Sequence, residues 1–417
     1  MHEPAGELIG GSTRREFFQQ LGIAGTGLVG AMAVPGVLGW GARRAYALAG
    51  SEVRLGVAQP VTGVFATWAQ KHAVAMEMLA EKVNASGGVG GVPVKFIWED
   101  TGSNPTGAAN AVRKLASEHN VLAIVGPLSS SECEVAFPVG NRIGIVMCAQ
   151  ASSKPGVSKA NRPYAFRNTM DEAKLAKACL PIFAKEMKVS KVAVVHDAKD
   201  AVSLSLGTMV LPTVAKAVGL QIVNPDKYVT FTTGDFDFKA QVTRMKQMEF
   251  DGILFGGLYA DCVAFAKELR RQGMKQPITG GSPLIHPDLP KAEGGVADNT
   301  YAPCTFWSDM PGAEVEAFVK EFERRAAGKA TLKTKSPDMY DVNMYDIGQL
   351  FIQIIKTGGV TNKPEDLKAD RTKIMEGMTK TTAFPGLAGK FGFDKDGDGV
   401  KPIYTVKAQG GKWVKAG

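Results

Sequence analysis

Histidine and cysteine are scarce: the 417 residues hold five of each, and neither type forms a pattern that chemistry needs. His2, His72, His119, His196 and His286 include no H-E-x-x-H pair and no second ligand at helical spacing, so no metal site is signalled. Cys133, Cys148, Cys179, Cys262 and Cys304 never form C-x-x-C and read as buried free thiols; an odd count leaves at least one outside any intramolecular pair. No run of five or six like charges occurs. The 49 basic and 41 acidic residues are interspersed, and their excess of +8 sets solubility and does not mark a nucleic-acid groove. The 48 glycines and 22 prolines follow no G-X-Y period, and no repeat of 20 to 50 residues is visible, which excludes collagen-like and solenoid architectures. Ser129 to Ser131 follow Gly126-Pro127-Leu128 and lie outside any G-x-S-x-G elbow, and no acid, base and nucleophile converge. The chain therefore reads as a protein that binds without catalysing, and no cofactor is implied.

What is present is a core-forming chain. It is 45% hydrophobic and 22% charged, with a mean hydropathy near zero. Its length suggests two domains.

The first 47 residues read as an export address. Arg14 and Arg15 precede Phe17 and a weakly apolar, glycine-rich stretch from Leu21 to Trp40, and Ala45-Tyr46-Ala47 gives a small-x-small cleavage pattern. This resembles a twin-arginine signal peptide, which implies export by the twin-arginine translocase, cleavage near Ala47 and a periplasmic location. Gly25-Thr26-Gly27-Leu28-Val29-Gly30 spells the dinucleotide fingerprint, but no strand precedes it and the segment is expected to be removed, so we discard it.

From Val53 onward, short β-branched runs alternate with longer stretches of helical period, the pattern of parallel strands joined by crossover helices. Expected strands are Val53–Ala58, Val94–Glu99, Val121–Gly126 and Ile145–Cys148 in a first series. A second series has Lys191–His196, Gln221–Val229, Gly252–Gly256 and Pro277–Gly280, and strands at Thr300–Cys304, Gly389–Phe393, Pro402–Lys407 and Lys412–Val414 follow. The fold class is α/β with two Rossmann-like, doubly wound lobes. In such sheets ligands bind beyond the carboxyl ends of the strands. That nominates Gln59–Thr67, Gly126–Ser131 and Cys148–Ser153 in the first lobe, and His196–Ser203, Gly256–Asp261 and Gly280–Pro283 in the second. Hydroxyls at Ser129 and Ser130 open a helix, where unpaired N–H groups favour an anion; one serine can cap while its neighbour binds. Asp394-Lys395-Asp396-Gly397-Asp398-Gly399 copies half of a calcium loop, but position twelve is Thr405, so a polar hairpin turn between Phe391–Phe393 and Pro402–Tyr404 is expected.

Val53-Arg54-Leu55-Gly56-Val57, Val83-Asn84-Ala85-Ser86-Gly87-Gly88-Val89, Ala123-Ile124-Val125-Gly126-Pro127-Leu128-Ser129-Ser130 and Lys191-Val192-Ala193-Val194-Val195-His196-Asp197 carry a resemblance. The chain resembles the branched-chain amino-acid binding proteins of ABC importers, the type I periplasmic solute-binding family. The resemblance implies two lobes joined by three hinge crossings, closing on a carboxylate-bearing solute that is delivered to permease subunits. It places the N-terminal lobe at 48–169 and 284–383 and the C-terminal lobe at 170–283 and 384–417. Ser130 matches the serine that holds the ligand carboxylate. Gln150, Ala151 and Ser152 match a loop that touches carboxylate and ammonium, and Asp261 matches the acid that pairs with an α-ammonium. Trp68 and Tyr340 match pocket aromatics; Ser129, Ser203 and Tyr259 complete the expected lining. Where many members have tyrosine-glycine-x-glycine, this chain has Ala201-Val202-Ser203-Leu204, which makes the second lobe's share of the pocket smaller and less polar. Alternatives are a binding protein for an aromatic or aliphatic acid or amide, and a periplasmic sensing domain serving a signalling partner.

Overall fold

The computed structural model describes residues 48–417; the export segment with Arg14, Arg15, Ala45 and Ala47 lies outside the described residues. The first series gives β1 (Val53–Gln59), α1 (Ala66–Ala85), β2 (Val94–Asp100), α2 (Pro105–Ser117), β3 (Ile124–Val125), α3 (Ser130–Ile143), β4 (Met147–Ala149) and β5 (Ala165–Arg167). These strands form one parallel sheet in the order β2-β1-β3-β4-β5, with Val53 opposite Val94 and Gln59 opposite Asp100. Val53, Leu55 and Val57 are fully buried, as a strand in a sheet covered on both faces requires. The order reverses at β1 and β3, and there the strand ends open a crevice.

The second series gives α4 (Glu172–Met187), β6 (Lys191–Asp197), α5 (Ala201–Ser205), α6 (Leu211–Ala217), β7 (Gln221–Ile222), β8 (Val229–Phe231), α7 (Lys239–Met245), β9 (Gly252–Gly256), α8 (Tyr259–Arg271), β10 (Ile278–Gly280) and β11 (Thr300–Cys304). After these come α9 (Ala313–Ala327), α10 (Met339–Thr357), α11 (Leu367–Lys380), β12 (Phe384–Gly386), β13 (Gly389–Phe393), β14 (Gly399–Val400), β15 (Tyr404–Gln409) and β16 (Lys412–Ala416). The second sheet runs β16-β15-β11-β10-β9-β6-β7, with β8 also on β6.

Several expectations need correction. The strand expected at Gln221–Val229 splits because Asn224 takes over the ladder: its Oδ1 accepts Val194 N–H at 2.9 Å and its Nδ2 donates to Val194 O at 3.0 Å. The helix after β6 begins at Ala201, within the loop nominated as His196–Ser203, and carries a π turn over Leu206–Val210. Pro212 has no N–H to give residue 208, which favours such a turn. Gly207 also lets it lie against β6, since a Cβ there would stand 2.1 Å from that of His196.

Two expected lobe boundaries move as well. Thr300–Cys304, placed by the 284–383 assignment in the first lobe, pairs in parallel with β10 and antiparallel with β15 of the second sheet. Gly389–Phe393, placed by the 384–417 assignment in the second lobe, packs on the first: Phe393 meets Phe166 edge-on at 5.1 Å. Its hairpin partner is Gly399–Val400, not Pro402–Tyr404. By strand pairing, and by the packing of α9 on α1, the chain passes between the lobes at 168–171, 305–312 and 401–403. The five cysteines are free and buried. Among the described residues, no helix is long and apolar enough to cross a membrane, and no cluster of three His, Cys, Asp or Glu side chains is placed to hold a metal ion.

Candidate functional site

The loops beyond the strand ends of the two sheets meet around one small cavity of about 40 Å³. The first lobe lines it with Phe65, Trp68, Leu128, Ser129, Ser130, Ala151 and Tyr340, and the second with Asp200, Val202, Leu258 and Pro283.

On the first-lobe wall, the loop after β1 is fixed by Asp100, whose carboxylate accepts the N–H of Thr62 at 3.1 Å and its hydroxyl at 2.7 Å. That loop delivers Phe65 and, in the first turn of α1, Trp68; their ring centroids lie 5.6 Å apart. The loop after β3 approaches β1 closely because Gly126 has φ +110 and a Cβ there would stand 2.3 Å from Ala58 O. Ser129 is the cap of α3. Its Oγ accepts Glu132 N–H at 3.3 Å, and Glu132 returns the bond from Ser129 N–H at 2.9 Å, a reciprocal capping box. Burial raises the Glu132 carboxyl above its usual range. The helix end therefore already faces a carboxyl group, and its attraction for a second anion is reduced.

Ser130 is thereby released from capping. Its buried hydroxyl sits 3.0 Å from that of Ser152 and accepts Lys154 N–H at 3.3 Å. Ala151 reaches the cavity between them in sequence, but the Gln150 side chain turns away and donates to Gln59 Oε1 at 2.8 Å. Trp68 Nε1, buried on the wall, has no hydrogen-bond partner.

Behind this wall lies a charged floor. Lys71 Nζ is 2.6 Å from Asp338 Oδ2 and 3.0 Å from Asp341 Oδ2, all buried. Burial works against the lysine's charge, yet the two carboxylates outweigh it and raise its pKa. Burial drives His72 down to about 3, so this imidazole is neutral at ordinary pH. Asp338 also caps α10, accepting Tyr340 N–H at 2.8 Å, and so sets the ring of Tyr340 on the cavity.

The second-lobe wall is arranged differently. Asp200 caps α5, its Oδ2 accepting the N–H of Ser203 at 3.0 Å and the Ser203 hydroxyl at 2.7 Å. Ser203 is thus buried and engaged, outside the lining. Burial raises the Asp200 carboxyl. Asp261 also stays out of the lining: it accepts Gly234 N–H at 3.2 Å and the Thr233 hydroxyl at 3.4 Å, and burial pushes it up to about 6. Tyr259 forms the rim, stacked on His286 at 3.6 Å with an interplanar angle of 6° and edge-on to Trp68 at 6.0 Å. At the floor, Tyr340 Oη lies 3.4 Å from Ser282 Oγ, and Ser282 N–H donates to the Glu172 carboxyl at 3.2 Å.

The structure therefore brings Trp68, Ser129, Ser130, Ala151 and Tyr340 together at the cavity and leaves Gln150, Ser152, Ser203, Tyr259 and Asp261 one layer behind or at the rim. Phe65, Leu128, Asp200, Val202, Leu258 and Pro283 were not singled out by sequence, although each lies in a loop nominated by the strand-end rule.

The profile of the periplasmic binding protein family matches residues 52–412. The chain belongs to this family. Among its members, an amino acid binding protein of Pseudomonas aeruginosa is 27% identical over 379 residues, covering 90% of this chain and 94% of that protein. A leucine-, isoleucine-, valine-, threonine- and alanine-binding protein of the same organism is 23% identical, covering 91% and 94%. Two solved structures share the fold. A branched-chain amino acid transporter substrate-binding protein of Streptococcus pneumoniae, in complex with isoleucine, superposes with a TM-score of 0.75 at 22% identity, covering 88% of this chain and 98% of that one. A solute-binding protein of R. palustris in complex with benzoate gives 0.72 at 20% identity, covering 87% and 95%. The type I periplasmic binding fold expected from the sequence is thus present.

Proposed function

We propose that this protein is the extracytoplasmic solute-binding component of an ABC importer. It holds a small acid with an apolar body between its lobes, releases it to permease subunits and performs no catalysis. The observation that carries this reading is the cavity itself, lined from both lobes, with Ser130 backed by Ser152 among otherwise largely apolar walls. A carboxylate seated there meets the Ser130 hydroxyl and satisfies the buried Trp68 Nε1–H, a donor that is costly to leave unpaired. Asp200, on the opposite lobe, supplies the counter-charge for an ammonium, the role that sequence assigned to Asp261. We therefore favour an α-amino acid with an apolar side chain, in keeping with the names of the Pseudomonas relatives. The rings of Phe65, Trp68 and Tyr340 support a second reading, an aromatic acid of the benzoate kind.

Native mass spectrometry of the purified protein, followed by calorimetry with leucine, phenylalanine and benzoate, tests the assignment. One-to-one binding of leucine or phenylalanine supports the first reading, binding of benzoate alone the second, and binding of none of the three contradicts both.

Export through the twin-arginine translocase, with cleavage near Ala47, belongs to the same reading. Leu48 is buried, and Ala49 is tied to Thr361 and Asn362 of the first lobe, so a mature chain starting at Leu48 keeps these contacts. Replacing Arg14 and Arg15 with lysine should hold the precursor in the cytoplasm; unchanged processing would refute the route.

A further inference from the structure

Arg167 is the last residue of β5, directly before the first crossing, and its side chain is fully buried. Its Nε donates to Asp398 Oδ1 at 2.6 Å and its Nη2 to Asp398 Oδ2 at 2.8 Å, a two-pronged pair that fixes angle as well as distance. Asp398 ends the turn between β13 and β14, the hairpin that leads into the third crossing, and also accepts the Ser158 hydroxyl. The first crossing and this hairpin run side by side: Arg167 N–H donates to Gly397 O at 3.0 Å, and Gly399 N–H to Thr169 O at 3.1 Å.

The remaining arm of Arg167 reaches the back of the loop that carries Ser152. Nη1 donates to Lys154 O and lies 3.5 Å from Ser152 O, which the Thr169 hydroxyl also bonds. That loop is also held by Asn343 Nδ2, which donates to Gln150 O at 2.8 Å, and by Glu172 N–H, which donates to Ser153 O at 3.1 Å. The acidic segment resembling a calcium loop is accordingly met by protein cations, Asp394 by Lys174 at 2.8 Å and Asp398 by Arg167. A buried ion pair contributes little net stability compared with apolar residues of similar volume, so geometry is the stronger reason for this one.

We propose that Arg167 and Asp398 are positioning residues that hold the loop 149–154 in the shape presenting Ser130 and Ser152 to the solute, and that couple this loop to the first hinge crossing and to the hairpin that leads into the third. Neither residue lines the cavity. The inference rests on the cleft being the solute seat only for its effect on affinity; the holding of the loop is independent of any solute.

The test compares the wild type with Asp398→Asn and with the double variant Arg167→Met/Asp398→Leu, which removes both charges at similar volume and so guards against simple unfolding. Backbone amide exchange of the solute-free proteins is followed segment by segment, and leucine and benzoate are then titrated by calorimetry. In both variants, amides of residues 150–154 should exchange roughly tenfold faster while those of β9 keep their wild-type rates, a local opening and not a global one. The dissociation constant for whichever acid the wild type binds should rise about tenfold. Unchanged exchange in the loop, or equal acceleration in β9, would overturn the proposal. Faster loop exchange in a protein whose wild type binds neither acid would support the clamp and count against the solute reading.

Discussion

The two walls of the cleft are built on different principles. On the first lobe, polar groups are stacked in depth: Ser130 on Ser152, the Ser152 loop on Arg167, and Tyr340 on Asp338 and Lys71. On the second lobe, the polar groups close on their own backbone, Ser203 on Asp200 and Asp261 on Gly234, and what faces the cavity is mostly Val202, Leu258 and Pro283. If a solute is held by the first wall and covered by the second, binding divides into two separable steps, and closure would depend on contacts made between the lobes. The Trp68–Tyr259 and Tyr340–Ser282 contacts are of that kind.

The largest expected effect breaks the first wall from behind. Lys71→Met leaves Asp338 and Asp341 buried without their cation and should cost about 3–5 kcal/mol of stability. Arg270→Met in the second lobe leaves only the carbonyls of Met274 and Gln276, both 3.1 Å away, and should cost much less. Denaturant unfolding of the two variants measures the difference, and equal losses would erase the asymmetry.

The next effect concerns Asp200, among the described residues the one acidic side chain that lines the cavity. With an amino acid as solute, Asp200→Asn truncates a desolvated charge pair and should cost about 2–5 kcal/mol of binding, whereas Asp261→Asn should leave affinity nearly unchanged. Calorimetry with leucine compares them. The reverse ranking would return the ammonium site to Asp261.

A smaller effect lies in the pH profile at the cleft floor. Burial pushes Glu172 up to about 7 from 4.5. The folded protein thus holds this proton more tightly than the unfolded chain, so the contribution is fully present below about pH 4.5 and is lost as pH rises to 7, a change of roughly 3 kcal/mol. Glu172→Gln keeps an acceptor for Ser282 and should remove this share of the stability loss across that window, leaving the part due to Asp261, Asp341 and Asp346, which burial also raises, as read by urea midpoints at successive pH values.

Much of the fold was legible because its signals are local. The apolar runs at Val53, Lys191 and Gly252 are strands, as expected. Strand β5 was missed because three residues after Pro163 are too few to show alternation. The lobe boundaries failed for another reason: whether Thr300–Cys304 joins one sheet or the other is decided by partners 22 residues before it and about 100 after it. The site divides in the same way. Strand-end loops could be nominated from order alone, and Ser129 could be recognised as a possible cap. Asp200 and Asp261 both open helices, however, and only the loop at Thr233 and Gly234, brought in by tertiary packing, turns Asp261 aside.

The central claim is that the first lobe holds the acid and the second covers it, and paired serine variants test it most directly. Calorimetry should be run with leucine and benzoate on the wild type, Ser130→Ala and Ser203→Ala. Losing a hydrogen bond to a charged group costs about 1.5–3 kcal/mol, so Ser130→Ala should weaken the bound acid roughly 10- to 150-fold. Ser203→Ala, whose hydroxyl meets only Asp200, should stay within about threefold of the wild type. Equal losses in the two variants, or a larger loss at Ser203, would contradict the account.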